Sequence, residues 1–284
     1  MGFYIEVEPG VKLFVEDTGQ GRPVVFIHGW PVNRRMWEYQ MNVVPVEGYR
    51  CIRIDLRGFG DSDAPLHGFT YNRMSDDIRI VVEALGLQNA TLVGFSMGGA
   101  VSIRYMTRHA GRRMRGLVLA AAAAPSMTRH PGYPHGKPAA EYDSLLQGLR
   151  TDRPKTTADF GAGFFHNPVS EPFRDWFNGL GFEASSQGAI HGMEALRDED
   201  LRGDLALIRV PTTILHGKLD MIVPFELGKL QQQGIKNSVL IPFEESSHGL
   251  FYDEREKFDR ELLKALKAHE PPPTSLPPAP LTSG

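Results

Sequence analysis

The chain has one cysteine, Cys51, among 284 residues, so no intrachain disulfide can form. A fold that takes nothing from oxidation is expected in a reducing cytoplasm. Long apolar runs are also missing: the longest is eight residues, Leu117 to Ala124. A membrane-spanning helix needs roughly 20, so none is expected. Basic excess is lacking too, with 31 Lys+Arg against 34 Asp+Glu and a formal net charge of −3, which argues against a nucleic-acid surface. The start, Met-Gly-Phe-Tyr-Ile-Glu, has no basic segment leading into an apolar one and carries Glu6 where myristoylation wants Ser or Thr. Neither a signal peptide nor N-myristoylation is expected. Metal motifs are absent as well: there is no H-E-x-x-H, no cysteine pair, and His130 and His135 are separated by a Pro/Gly-rich loop. No G-x-G-x-x-G opens the first βα unit, and Gly132…Gly136-Lys137 lacks P-loop spacing.

What is present is an alternation of strand and helix patterns. Tyr4–Val7 and Lys12–Glu16 flank Glu8-Pro9-Gly10 and read as an antiparallel hairpin. Six further β-branched runs follow: Pro23–Ile27, Arg50–Ile54, Ala90–Val93, Gly116–Leu119, Thr212–Leu215 and Ser238–Ile241. Several are continuously apolar, as strands covered on both faces are. Helical segments are expected at Asn33–Val46, Ser75–Leu85, Met97–His109, Phe225–Gly234 and Phe251–Ala268. Within Ser75–Leu85, Ile78, Val81, Val82 and Leu85 follow the spacing of one helix face. The pattern predicts an α/β fold with a mostly parallel eight-stranded sheet.

The rhythm stops between Pro125 and Leu205, where no strand is evident and Phe160, Phe164, Phe165, Phe173, Trp176, Phe177 and Phe182 cluster. We expect residues 125–205 to form a helical cap inserted after the sixth strand. Residues 1–124 and 206–270 then make the core. Six of the 21 prolines fall in Pro271–Pro280, so 271–284 is expected to be a Pro-rich, disordered tail.

The sharpest chemical signal is Gly94-Phe95-Ser96-Met97-Gly98-Gly99, which follows an apolar run and opens a helical one. This is the G-x-S-x-G turn in its strand–turn–helix setting. So sharp a turn strains the serine backbone, and small residues at 94 and 98 let strand and helix approach. The turn lifts the Ser96 hydroxyl to a helix N-terminus, where amides and the dipole favour an oxyanion. A serine needs a base, and the base needs an orienting acid. His248 lies just after the last strand and Asp220 just after the strand before it, in the chain order this turn requires. The alternative position for the acid, after Gly116–Leu119, holds only Ala120–Ala124. His28 and His216 precede glycines at strand ends and are read as loop holders. The Trp30 N–H, after the first core strand, is assigned as the second oxyanion donor beside that of Met97. Trp30–Pro31 is a candidate cis bond. Cys51 reads as a buried strand residue.

These residues resemble the α/β-hydrolase superfamily and, within it, the bacterial arylesterases and cofactor-free haloperoxidases (perhydrolases). The resemblance rests on His28-Gly29-Trp30-Pro31, Trp37-Glu38-Tyr39-Gln40, Asp55-Leu56-Arg57-Gly58-Phe59-Gly60-Asp61-Ser62, the Ser96 turn, Asp220-Met221-Ile222-Val223-Pro224-Phe225 and His248-Gly249. It spans about residues 3 to 268 and is weakest across the cap. It implies a serine esterase of small acyl and aryl esters that also performs perhydrolysis, needing no cofactor and no metal. Pro31 matches the perhydrolases and is counted with the substrate-binding residues, as are Ala123 and Met127, and by family position the pocket includes Phe160, Phe164, Ile222 and Val223. At Ala123 and Met127 relatives tend to carry larger groups, which implies a roomier acyl side here. Haloalkane dehalogenases and epoxide hydrolases place Asp at the turn, so Ser96 speaks against both. Lactamases, lactonases and carbon–carbon bond hydrolases keep the serine and stay open, as does a non-turnover ligand receptor on the same fold. The expected partner is a small-molecule ester, with neither nucleic acid nor membrane; a homo-oligomer stays open.

Overall fold

The computed structural model describes residues 2–269, and the tail expected at 271–284 lies outside the described residues. Eight strands form one sheet: β1 (Gly2–Glu8), β2 (Val11–Thr18), β3 (Arg22–Ile27), β4 (Tyr49–Ile54), β5 (Ala90–Phe95), β6 (Met114–Ala120), β7 (Thr212–Gly217) and β8 (Ser238–Phe243). Their order is β1-β2-β4-β3-β5-β6-β7-β8. The β1–β2 and β2–β4 pairs are antiparallel, and every pair from β4 onward is parallel. All eight expected strands are therefore present. The parallel strands alternate between two cores. Val25, Ile27 and Leu92 face one, while Val24, Phe26, Val93 and Phe95 face the other with Trp37, Phe251 and Phe258.

The sheet is flanked by α1 (Tyr71–Ala84), α2 (Met97–Arg108), α7 (Phe225–Gly234), α8 (Leu250–Asp253) and α9 (Arg255–Ala268). Thr70 caps α1 by accepting the Arg73 N–H at 3.2 Å, and Met74, Ile78, Val81 and Val82 are its buried stripe. Two expected helices are corrected. Asn33–Val46 forms only short 3₁₀ turns at Arg34–Trp37 and Gln40–Asn42. Tertiary bonds override propensity there: Arg34 is drawn into a buried pair with Asp55, and Gln40 Nε2 donates to Asp259 Oδ1 at 2.9 Å. The second, Phe251–Ala268, is interrupted at Glu254, whose φ of −118° and ψ of 53° leave the helical region.

Between β6 and β7 lie α3 (Ala139–Thr151), α4 (Arg153–Gly161), α5 (Glu171–Phe182) and α6 (Ser186–Asp198), a helical cap above the C-terminal edge of the sheet. Asp152, Ser170 and Ser185 cap α4, α5 and α6 through their side chains. No helix among the described residues is long and apolar enough to cross a membrane.

Candidate active site

The buried strand β5 ends at Phe95, and α2 begins at Met97, so the chain reverses at Ser96 alone. Ser96 has φ of 51° and ψ of −119°, a sparsely populated region that costs a non-glycine residue on the order of 1–3 kcal/mol. The strain is met by close packing on both sides. A Cβ at Gly98 would strike the carbonyl oxygens of Ile27 and His28, so glycine lets α2 seat against the end of β3. A Cβ at Gly29 would come within 2.8 Å of the Ser96 Cβ and the Phe95 ring. The Gly29–Trp30 segment thus runs directly beside the serine. Met97 is the first residue of α2, where backbone N–H groups have no intrahelical acceptor.

Two loops bring the acid and the histidine to this edge. Asp220, after β7, accepts the Ile222 and Val223 N–H groups on Oδ1 at 2.9 and 2.8 Å, which fixes its carboxylate within its own loop. Its other oxygen lies 2.7 Å from Nδ1 of His248, after β8. Both side chains are fully buried. With Nδ1 engaged, Nε2 of His248 is buried and carries no hydrogen bond. The imidazole packs on Phe95, the neighbour of Ser96, at 4.8 Å between ring centroids.

The other two strand-end histidines hold loops. His28 donates from Nδ1 to the Gly29 carbonyl at 2.9 Å and accepts the Leu56 N–H on Nε2 at 3.0 Å. Burial lowers its pKa to about 4, which keeps it neutral and preserves that acceptor. His216 donates from Nε2 to the Val223 carbonyl at 2.8 Å, and burial likewise lowers its pKa. The motif Asp55-Leu56-Arg57 is also architectural. Asp55 accepts the Arg34 N–H at 2.8 Å, close behind Trp30, and Arg57 pairs twice with Asp77 at 2.7 and 2.8 Å. Cys51 is buried in β4, and burial pushes its thiol pKa up to about 12.

A cavity of about 490 Å³ opens above Ser96. Ala123, Met127, Phe160, Ile222 and Val223, all named from sequence, line it together with Trp30 and Ser96. Pro31 and Phe164 do not. The Trp30–Pro31 bond is cis, and the proline ring faces α5, where a Cβ at Gly181 would sit 3.3 Å from Pro31 Cγ. Phe164 is fully buried and stands against the His248 ring. Sequence reasoning missed Met193 and Leu196 of α6 and Leu145 of α3, which complete the apolar wall. Their helical spacing marks them only as inward-facing, and nothing local separates cavity lining from cap core. Lys137, Glu141, Ser144 and Asp159 supply the polar part of the lining. Among the described residues, no group of three or more His, Cys, Asp or Glu side chains is placed to hold a metal ion.

Residues 22–255 match the family model for the alpha/beta hydrolase fold. A Bacillus subtilis protein of the AB hydrolase superfamily is 53% identical over 91% of this chain and 97% of its own. A non-heme chloroperoxidase from Kitasatospora aureofaciens is 37% identical over 90% and 96%, respectively. Among solved structures, an esterase from Exiguobacterium antarcticum is 47% identical, with a TM-score of 0.92 covering 94% of this chain and all of that one. Strand order, the strained serine turn and these matches agree: the chain belongs to the α/β-hydrolase family, in the branch that holds esterases and non-heme haloperoxidases.

Proposed function

We propose that the protein is a serine carboxylesterase of small acyl and aryl esters, with Ser96 as nucleophile, His248 as general base and Asp220 as its orienting acid. The observation that carries this is the buried His248–Asp220 bond of 2.7 Å, which leaves Nε2 unpartnered on a ring packed beside the Ser96 turn. Ser96 Oγ attacks the ester carbonyl while its proton passes to His248 Nε2. Asp220 stabilises the imidazolium, and the amides of Trp30 and Met97 receive the oxyanion of the tetrahedral intermediate. Collapse of the intermediate breaks the bond to the alcohol oxygen, which leaves with the proton from Nε2. The acyl-enzyme then gives a carboxylic acid with water. With hydrogen peroxide as the attacking nucleophile it gives a peracid, which oxidises halide without haem. The similarity to both an esterase and a non-heme chloroperoxidase supports this pairing of outcomes on one site. The same reading takes the enzyme as cytoplasmic, acting on a small-molecule ester without nucleic acid or membrane.

The test is hydrolysis of p-nitrophenyl acetate and butyrate by wild type and Ser96→Ala, with and without hydrogen peroxide. Turnover in wild type that disappears in the variant, with peracid formed in the peroxide samples, is the expected result. Activity surviving in Ser96→Ala removes the serine mechanism. A wild type inert to both esters redirects the search to lactones, lactams or carbon–carbon substrates.

A further inference from the structure

The helix break at Glu254 turns two consecutive carboxylates toward one loop. In an unbroken helix, neighbouring side chains point about 100° apart, because 3.6 residues complete a turn. Here Glu254 accepts the Glu245 N–H at 3.0 Å and the Ser246 hydroxyl at 2.7 Å, while Asp253 accepts the Ser247 N–H at 2.9 Å. Each of the three residues leading into His248 is therefore held by one of these two carboxylates.

Asp253 has a second set of partners. It also accepts the N–H groups of His166 at 2.9 Å and Asn167 at 3.0 Å, in the segment joining α4 to α5. Two neighbouring bonds run the same way: Gly249 N–H to the Phe164 carbonyl at 2.6 Å, and the Ser247 hydroxyl to the Gly163 carbonyl at 3.2 Å. The cap segment carrying Phe164 and the loop carrying His248 thus share one anionic acceptor. Backbone amides surround Asp253, and burial raises its pKa against their opposing effect. Glu254 is different, because Lys257 Nζ lies 3.2 Å from it.

We propose that Asp253 is a positioning residue for catalysis: its carboxylate fixes the Ser247–His248 loop against the Phe164 segment, so that His248 stays in register with Ser96. The proposal rests on the reading of His248 as the general base. A displacement of about 1 Å in a reacting group can cost on the order of a hundredfold in rate, so loss of this acceptor has room to act.

The experiment compares wild type, Asp253→Asn, Asp253→Glu and Ser96→Ala in p-nitrophenyl acetate hydrolysis. Melting temperature and the downfield proton resonance of His248 Nδ1–H are recorded alongside. Asparagine keeps the size but sets an NH₂ against one of the amide donors. Glutamate keeps every acceptor and serves as the second variant where asparagine does not fold. In Asp253→Asn, kcat is expected to fall about tenfold or more with KM within about twofold, and the His248 resonance to shift or broaden. Asp253→Glu should fall between this variant and wild type. A lower melting temperature with kcat and the resonance unchanged overturns the proposal, as does a rise in KM alone. If Ser96→Ala is inactive while Asp253→Asn is fully active, only this inference fails. If Ser96→Ala retains activity, the esterase reading fails and this inference goes with it.

Discussion

The ring of Phe164 stands edge to face against the imidazole of His248, with 4.9 Å between centroids and 71° between planes. It reaches this position from the cap, with Phe160, Phe165 and Phe177 around it. The residue expected in the pocket is thus a wall behind the His248 ring. Phe164→Ala should lower kcat for acetate and butyrate esters by similar factors and leave the preference between them unchanged. It should also cost about 3–5 kcal/mol of stability, as large aromatic truncations in cores do. A changed chain-length preference at unchanged kcat would return Phe164 to the pocket.

Ala123 and Met127 do line the cavity, on the wall formed just after β6. Ala123→Phe fills that side. Hydrolysis of long acyl esters should drop more than that of acetate, read as the ratio of kcat/KM values in a chain-length series. Equal losses across the series would contradict a roomier acyl side.

Pro31 tests the peroxide reaction separately from the ester reaction. Its ring abuts α5 and is not among the cavity-lining residues, so its influence on the site runs through the backbone next to Trp30. Pro31→Leu is expected to lower the ratio of perhydrolysis to hydrolysis, measured with one ester and increasing hydrogen peroxide. An unchanged ratio sinks the expectation.

Stability should depend on pH through buried histidines, His28 and His269 among them. Burial lowers the pKa of both His28 and His269 to about 4. Above about pH 6.5 neither the folded nor the unfolded chain protonates them, and their contribution is complete. Between 6.5 and 4 the unfolded chain binds protons that the folded one refuses, so stability falls as pH falls. Urea midpoints at pH 7.5 and pH 5 measure this. His269→Gln should lose about 2 kcal/mol less than wild type over that interval, since 1.5 pH units below the ordinary value are worth about 1.36 kcal/mol each. Identical losses in the two proteins would refute the assignment for His269.

Much of the fold was legible because the central strands are buried on both faces and carry unbroken apolar runs, as in β5. Ser96 was legible for a related reason: only a few residue patterns survive so sharp a turn. What stayed hidden depends on partners distant in sequence. Asn33–Val46 has the composition of a helix, yet Arg34 and Gln40 answer to Asp55 and Asp259. The break at Glu254 is invisible for the same reason, because its bonds to Glu245 and Ser246 exist only once β8 has brought that loop alongside. Phe164 was placed in the pocket by family position and Pro31 by its match to the perhydrolases, and neither packing direction is written in its neighbours.

The cap is fastened unevenly. On the α5–α6 side, Glu183 accepts from Asn33 Nδ2 at 2.7 Å, Trp30 Nε1 donates to the Ala189 carbonyl at 2.9 Å, and Ser185 N–H donates to the Gly58 carbonyl at 2.8 Å. The side chains of α3 and α4 bond instead to other parts of the cap: Tyr142 to the Met127 carbonyl, Arg150 to Glu194, and Arg153 to the Ala184 carbonyl. The α5–α6 half of the cap is therefore foundation for the Trp30 segment, and α3 is furniture. Insertions, deletions or recombined sequence in α3 can reshape what the cavity accepts while Trp30 and Ser96 keep their places, whereas Phe160 of α4 packs on the Trp30 ring with 4.8 Å between centroids. Changes in α4, α5 and α6 disturb the packing of Trp30, so laboratory diversification for new substrates belongs in residues 139–151.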